Sequence, residues 1–224
     1  PPGSPQPEVL KAGDRRDIGG ATLEVLWPPD EPGSKLRDND TSLVLRLTAA
    51  GRAVLFTGDI EKAALEALSK RHQAREIDLK ADVLIAPHHG AVLKNVTADF
   101  YAAVAPQIVI VSTRTPRPKL VKLVGEVLGP GCMVVLTREA GAVKVRITPD
   151  GGLRVETPLA EPPLPAEATS PDEEAQESAR STAGDAVLGH LVAQRRARDA
   201  EALGGAGLVV VALPQGEQDH AALD

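Results

Sequence analysis

Residues 81–90 read ADVLIAPHHG: a short, nearly continuous apolar run, then Pro87, His88, His89 and Gly90. Such a run is expected to be a strand buried on both faces. Upstream, residues 53–59 read AVLFTGD, a second apolar run closed by Thr57, Gly58 and Asp59. Each stretch therefore delivers polar side chains just past the carboxyl end of a buried strand. In layered α/β folds that is where ligands bind. Gly58 and Gly90 let the backbone turn sharply beside those side chains. Downstream, QIVIVS at 107–112 repeats the pattern and ends on Ser112.

Outward from these runs the pattern predicts an ordered series of elements. Residues 21–27 (ATLEVLW) alternate as a half-buried strand does, after turn chemistry at Ile18-Gly19-Gly20. Residues 28–40 read as a loop, 42–47 (SLVLRL) as a strand, 49–52 as a tight connection and 53–56 as the next strand. Ile60, Ala64, Leu65 and Leu68 have helical spacing, predicting a helix over 60–71. A second helix is expected over 97–104 with Thr97 as its N-cap, and a third over 117–128, stopped by Gly129-Pro130-Gly131. A strand at 132–137 and a hairpin of 142–147 with 153–156 complete the predicted core. The expected class is α/β (α+β), a mixed sheet with flanking helices: antiparallel strands, then βαβα, then a hairpin.

The domain plan is an extended lead-in at 1–7, a folded domain at 8–157, a linker at 158–184 rich in Pro, Glu, Ala and Ser, and a tail at 185–224. The linker is expected to be disordered and the tail poorly ordered. The tail holds a candidate helix at 185–203 and a lone strand-like run at 207–213. The run Arg195-Arg196-Ala197-Arg198 is read as a solvated helix face. The chain opens Pro1-Pro2-Gly3 and its single Met is Met133, so it is read as part of something longer or as a processed product.

Composition narrows the chemistry. A net charge of −6 argues against gripping nucleic acid through a basic face, without opposing a metal-dependent enzyme. The single cysteine, Cys132, excludes an intrachain disulfide and a Cys-based zinc site. It is expected to sit in a buried strand as a small hydrophobe. No apolar run approaches a membrane span and no signal peptide is visible.

Asp59, His88 and His89 at adjacent strand ends have the residue types a divalent cation takes. Bland readings compete. Taken alone, Asp59 is more often an N-cap for the helix that follows. Asn39-Asp40-Thr41-Ser42 reads as turn chemistry, Glu61 and Glu66 as solvated helix residues, and His72 as a cation at a helix C-terminus. His190 and His220, in the tail, are read as incidental.

The order NDTSLVLRL, AVLFTGDIE, ADVLIAPHHGA, FYAAVAPQIVIVS and VVLTREAGAVKVRI resembles the hydrolase-like domain of ComEC-type competence proteins, of the metallo-β-lactamase superfamily. The resemblance covers residues 8–157. It implies the C-terminal half of an αββα sandwich with one or two metal ions, zinc or manganese, and hydrolysis of phosphoester or nucleic-acid bonds by metal-activated water. It matches Asp59 to a bridging metal ligand and one of His88 and His89, with His89 preferred, to the last metal histidine. Asn39 and Ser42 match positions flanking the site. It further implies a bacterial cytoplasmic or envelope-associated setting. Three departures stand out. The family's His-x-His-x-Asp-His cluster is absent from the chain, Ala91 stands where the family has Ser after HHG, and the loop at 113–118 (TRTPRP) has no His. An upstream half of the domain is therefore the expected partner, and this chain alone is expected to bind metal weakly or not at all. The competing expectation is a degenerate domain with a scaffold or interaction role.

Overall fold

The computed structural model describes residues 9–29, 36–157 and 208–212. Seven strands form one sheet in simple sequence order. They are β1 (Arg15–Ile18), β2 (Ala21–Trp27), β3 (Val44–Ala49), β4 (Arg52–Phe56), β5 (Val83–Ile85), β6 (Ile108–Val111) and β7 (Met133–Leu136). β1 to β4 pair antiparallel, and β4 to β7 pair parallel. The parallel half needs crossovers, supplied by α1 (Lys62–Gln73), α2 (Lys94–Val104) and α3 (Pro118–Leu128). The short α4 (Thr137–Ala140) follows β7 directly.

Strand pleating sorts the core into two. Leu55, Leu84, Val109 and Val111 pack with Leu65 and Leu68 of α1, Phe100 and Tyr101 of α2, and Leu120 and Val124 of α3. Their sequence neighbours Val54, Val83, Ile108 and Ile110 point to the other face and pack with Val143, Val145 and Ile147. Those three belong to β8 (Val143–Ile147), centre of a second, antiparallel sheet with β9 (Leu153–Glu156) and β10 (Leu208–Ala212). The layers are therefore helices, large sheet and small sheet. This is the mixed α/β architecture expected, with three of the four layers of an αββα sandwich among the described residues.

Several expectations are corrected. The run at 207–213 does not stand alone: Leu208–Ala212 pairs antiparallel with β8 in continuous register. Thr97 lies inside α2 and does not cap it; its hydroxyl accepts the Leu93 N–H at 2.7 Å, just ahead of the helix. β7 is an edge strand, with Met133 55% exposed, and Cys132 beside it is only partly buried. The lead-in at 1–7, the linker at 158–184 and the candidate helix at 185–203 lie outside the described residues.

Candidate functional site

Because β4, β5, β6 and β7 run parallel, their carboxyl ends share one edge of the sheet. The connection after each strand there carries polar side chains. After β4, buried Thr57 donates its hydroxyl to the Ile85 carbonyl at 2.7 Å and so locks the turn to β5. Gly58 follows at φ 55°; a Cβ there would lie 2.9 Å from Ser42 Cβ, so the backbone passes where only glycine fits. The Gly58 carbonyl accepts the His88 N–H at 3.1 Å. Asp59 comes next, its N–H donating to Ser42 Oγ at 3.3 Å.

After β5 the chain makes a tight turn over Pro87–Gly90. His88 (φ 44°, ψ 52°) and His89 (φ 53°, ψ 30°) are both left-handed. Two consecutive non-glycine residues in that region cost about 1–2 kcal/mol each. Such strain persists only where the surroundings over-determine it, and it concentrates at functional sites. The turn presents the two rings in different directions, with centroids 6.2 Å apart in an edge arrangement. His89 Nε2 faces Asp59 Oδ1 at 3.4 Å. His88 Nδ1 faces Glu61 Oε1 at 3.3 Å, and Glu61 Oε1 also accepts from Asn39 Nδ2 at 3.0 Å. The edge thus holds two carboxylate–imidazole pairs side by side.

His89 is oriented from behind. Its Nδ1 lies 3.1 Å from the Ser112 carbonyl, which can only accept, so Nδ1 carries the proton. In the neutral ring Nε2 is then the acceptor, aimed at a carboxylate that is also an acceptor. The pair attracts only with a proton or a cation between them. A backbone carbonyl that fixes the tautomer of an outward-facing imidazole is the usual support of a metal-ligating histidine.

The structure also settles the helix cap. Asp40 is 2% exposed, and its Oδ1 accepts the N–H groups of Glu61 at 2.8 Å and Ala64 at 3.1 Å. The amino end of α1 is therefore capped by Asp40, across 20 or more residues of sequence, and Asp59 is released from that role. The Asp40 carbonyl is held in turn by Trp27 Nε1 at 2.6 Å. Glu61 is not the solvated residue that its position suggested, because it joins Asn39 and His88.

All eight residues singled out from the sequence (Asn39, Ser42, Gly58, Asp59, His88, His89, Gly90 and Ser112) meet at this edge. Sequence reasoning missed Asp40, Glu61 and Arg117. The loop at 113–118 lacks a histidine, yet it delivers Arg117, whose Nε donates to the His89 carbonyl at 2.8 Å. Nothing in that loop's spacing signals such a reach.

Measured against a divalent cation, the donor set falls short. Asp59 and His89 converge as two donors, and among the described residues no group of three or more His, Cys, Asp or Glu could hold an ion. Three protein ligands are the usual minimum for zinc. These residues alone do not fit a resident metal.

The polar cluster thus lies at the carboxyl ends of the parallel strands of a layered α/β domain, where such folds place their sites. The chain is similar to competence protein ComA of Neisseria gonorrhoeae, 32% identical over 113 residues, 48% of this chain and 16% of that protein. It is also similar to ComE operon protein 3 of Bacillus subtilis, 35% identical over 108 residues, 47% of this chain and 13% of that protein. The chain thus spans about one-sixth to one-eighth of the length of these relatives. No family model matches it. Among solved structures, one described as a metal-dependent hydrolase from Parabacteroides distasonis overlaps 59% of this chain and 58% of its own, at 18% identity and a TM-score of 0.41.

Proposed function

We propose that residues 8–157 form the C-terminal part of a ComEC-type hydrolase domain acting on phosphoester or nucleic-acid bonds. Asp59 and His89 are the two donors this chain contributes to a divalent-metal site, zinc or manganese, and His88 is paired away with Glu61. The observation that carries this reading is the His89 geometry: a tautomer fixed by the Ser112 carbonyl, with Nε2 opposed to Asp59 at 3.4 Å. Asp59 and His89 would hold such an ion only together with donors from outside this chain, and it would supply water activation and charge neutralisation at a phosphoryl group. The chain's own residues hold and orient the two donors. Arg114, Arg117 and Arg138 lie in the segments that follow β6 and β7, so cationic residues stand at the same edge, suited to an anionic substrate.

The remaining donors would come from an upstream half of the domain. The sheet's inner face supports this. One row across it, Leu47, Val54, Val83 and Ile108, is buried under the small sheet. The next row toward the site, Leu45, Phe56, Ile85 and Val135 around Ile110, is only partly buried apart from Ile110. Among the described residues, the three strands of the small sheet leave that apolar row incompletely covered, and a further sheet would cover it. A setting at the bacterial cell envelope is proposed on the resemblance to the competence proteins; among the described residues no helix is long and apolar enough to cross a membrane.

The test is metal titration. The 224-residue chain should show no tight stoichiometric binding of zinc or manganese. A longer protein carrying an upstream His-x-His-x-Asp-His segment should bind, and should lose binding on Asp59→Ala or His89→Ala. Tight one-to-one binding by the 224-residue chain would sink the half-site argument. A second reading, a degenerate scaffold module, is favoured by one observation: Arg117, rather than an imidazole, approaches His89 from the loop at 113–118. Absence of binding in the longer protein would decide for it.

A further inference from the structure

We infer that Arg117 is a positioning residue, whose Nε–H bond to the His89 carbonyl holds the strained His88–His89 turn in the form that aims His89 Nε2 at Asp59. This rests on the site reading above and extends it to a residue of the loop at 113–118. The turn needs holding because both histidines are left-handed. His88 is fixed at its N–H by the Gly58 carbonyl at 3.1 Å, and its own carbonyl accepts the Ala91 N–H at 3.0 Å. Gly90 is wedged against Leu120 and Val111, where a Cβ would lie 2.7 and 2.8 Å from their methyl carbons. The carbonyl of His89 is held by Arg117 at 2.8 Å. A bond from a charged donor is among the stronger ones available. Lost, it would free the peptide between His89 and Gly90 to rotate.

Arg117 is itself well placed to act as a strut. Its Cγ lies 3.7 Å from the position a Gly90 Cβ would take, so the stem packs along the turn. The loop bearing it is pinned by Thr113, whose N–H donates to buried Thr137 Oγ1 at 2.9 Å and whose hydroxyl donates to the Thr115 carbonyl at 3.1 Å. Pro118 then starts α3 directly, its fixed φ suited to the first turn.

The experiment compares two near-isosteric variants of the 224-residue chain. In Arg117→Gln the amide nitrogen sits as many bonds from Cα as Nε does, keeping a donor without the charge. In Arg117→Met the terminal methyl takes that place with no donor. Histidine 15N spectra, recorded at a pH above the ordinary imidazole range of about 6.5, read the tautomer without metal or substrate. The native chain and R117Q should show His89 with its proton on Nδ1. R117M should show exchange-averaged His89 signals, while His72, which accepts the Leu79 N–H on Nδ1, stays unchanged as an internal control for the fold. A native His89 spectrum in R117M, or loss of it in R117Q as well, would overturn the inference. If R117M fails to fold, the native chain still decides, because Arg117 Nε–H should exchange with solvent far more slowly than that of exposed Arg154, and equal rates would refute the bond. None of these readouts depends on metal or turnover, so their failure is distinct from failure of the hydrolase reading.

Discussion

Replacing Asp40 with alanine should destabilise the domain more than the same change at Asp59, although Asp59 is the residue that a local reading makes the cap of α1. Asp40 is buried and accepts two orphan N–H groups at the helix start, from Glu61 and Ala64. Loss of a cap costs about 0.5–2 kcal/mol, and a buried donor left without a partner costs about 1–3 kcal/mol. The two overlap, giving about 1–4 kcal/mol for Asp40→Ala. At about 2–4 °C per kcal/mol for a chain this long, the melting temperature should fall by about 2–16 °C. Asp59 has a side chain 47% exposed, and its carboxylate partner is His89. The Ser42 bond uses its backbone N–H and survives the mutation. An exposed pair of this kind is worth about 1 kcal/mol or less, so Asp59→Ala should shift the melting temperature by no more than about 4 °C. Denaturant unfolding of both variants, with Asp40→Asn as an uncharged acceptor control, gives the comparison. If Asp59→Ala proved the more destabilising, or Asp40→Ala lay within about 0.5 kcal/mol of the native chain, the cap assignment and the release of Asp59 would both be refuted.

Gly90→Ala should cost about 2–5 kcal/mol, combining a left-handed φ of 78° with overpacking against Leu120 and Val111, as read by chemical denaturation; a loss under about 1 kcal/mol would mean the turn can relax. Tyr101→Phe should leave stability unchanged or raise it by about 1 kcal/mol, because among the described residues the buried hydroxyl has no hydrogen-bond partner; a drop above about 1 kcal/mol in calorimetry would reveal a bond it makes. Lys144 lies 3.1 Å from Glu156 across β8 and β9 and holds the Glu156 carboxyl below its ordinary value, with Arg146 and Arg154 adding to the effect. A depressed folded-state carboxyl contributes stability above its unfolded value of 4.5 and loses it as pH falls through the lower folded value. The stability difference between the native chain and Glu156→Gln should therefore be present at neutral pH and vanish in acid, and a difference independent of pH would contradict it.

The sheet was legible in the sequence because each strand had a local signature. Continuous apolar runs gave the parallel strands, and ATLEVLW gave the alternating one. Their common direction brought the polar strand ends to one edge without any knowledge of contacts. The helix cap was not legible, because a cap is normally sought in the residue just before the helix. Here Asp40 reaches α1 from the far side of β3 and β4, a contact set by how the 3-10 turn at Asn39–Thr41 packs. Glu61 was misread for the same reason: its place beside the helix start suggests solvent, while its partners Asn39 and His88 come from distant segments. The division of the two histidines, one to Asp59 and one to Glu61, follows from consecutive left-handed residues. No propensity argument anticipates that for His-His.

The opposite edge of the sheet shows why the site edge can tolerate this strain. There Asp82 accepts Arg52 Nη1 and the Ala53 N–H, both at 2.8 Å, and Gln107 Nε2 at 3.2 Å. Its backbone carbonyl takes the N–H groups of Gln107 and Ile108 at 2.9 and 3.1 Å. Arg52 Nε continues to the Gly151 carbonyl at 2.8 Å, tying the hairpin of the small sheet to β4. One carboxylate thus joins β4, β5, β6 and the second layer through bonds that leave its oxygens partnered. A network satisfied in this way fixes the strands relative to one another. With β4, β5 and β6 clamped at their amino ends, their carboxyl ends arrive at defined separations. Asp59, His89 and Ser112 are delivered from three strands whose spacing is set elsewhere. The two unfavourable backbone conformations at His88 and His89 then act on the direction of the rings rather than on the fold. Because the strand spacing is set at the opposite edge, the two left-handed residues at His88 and His89 need only direct their rings, and the sheet holds them where they stand.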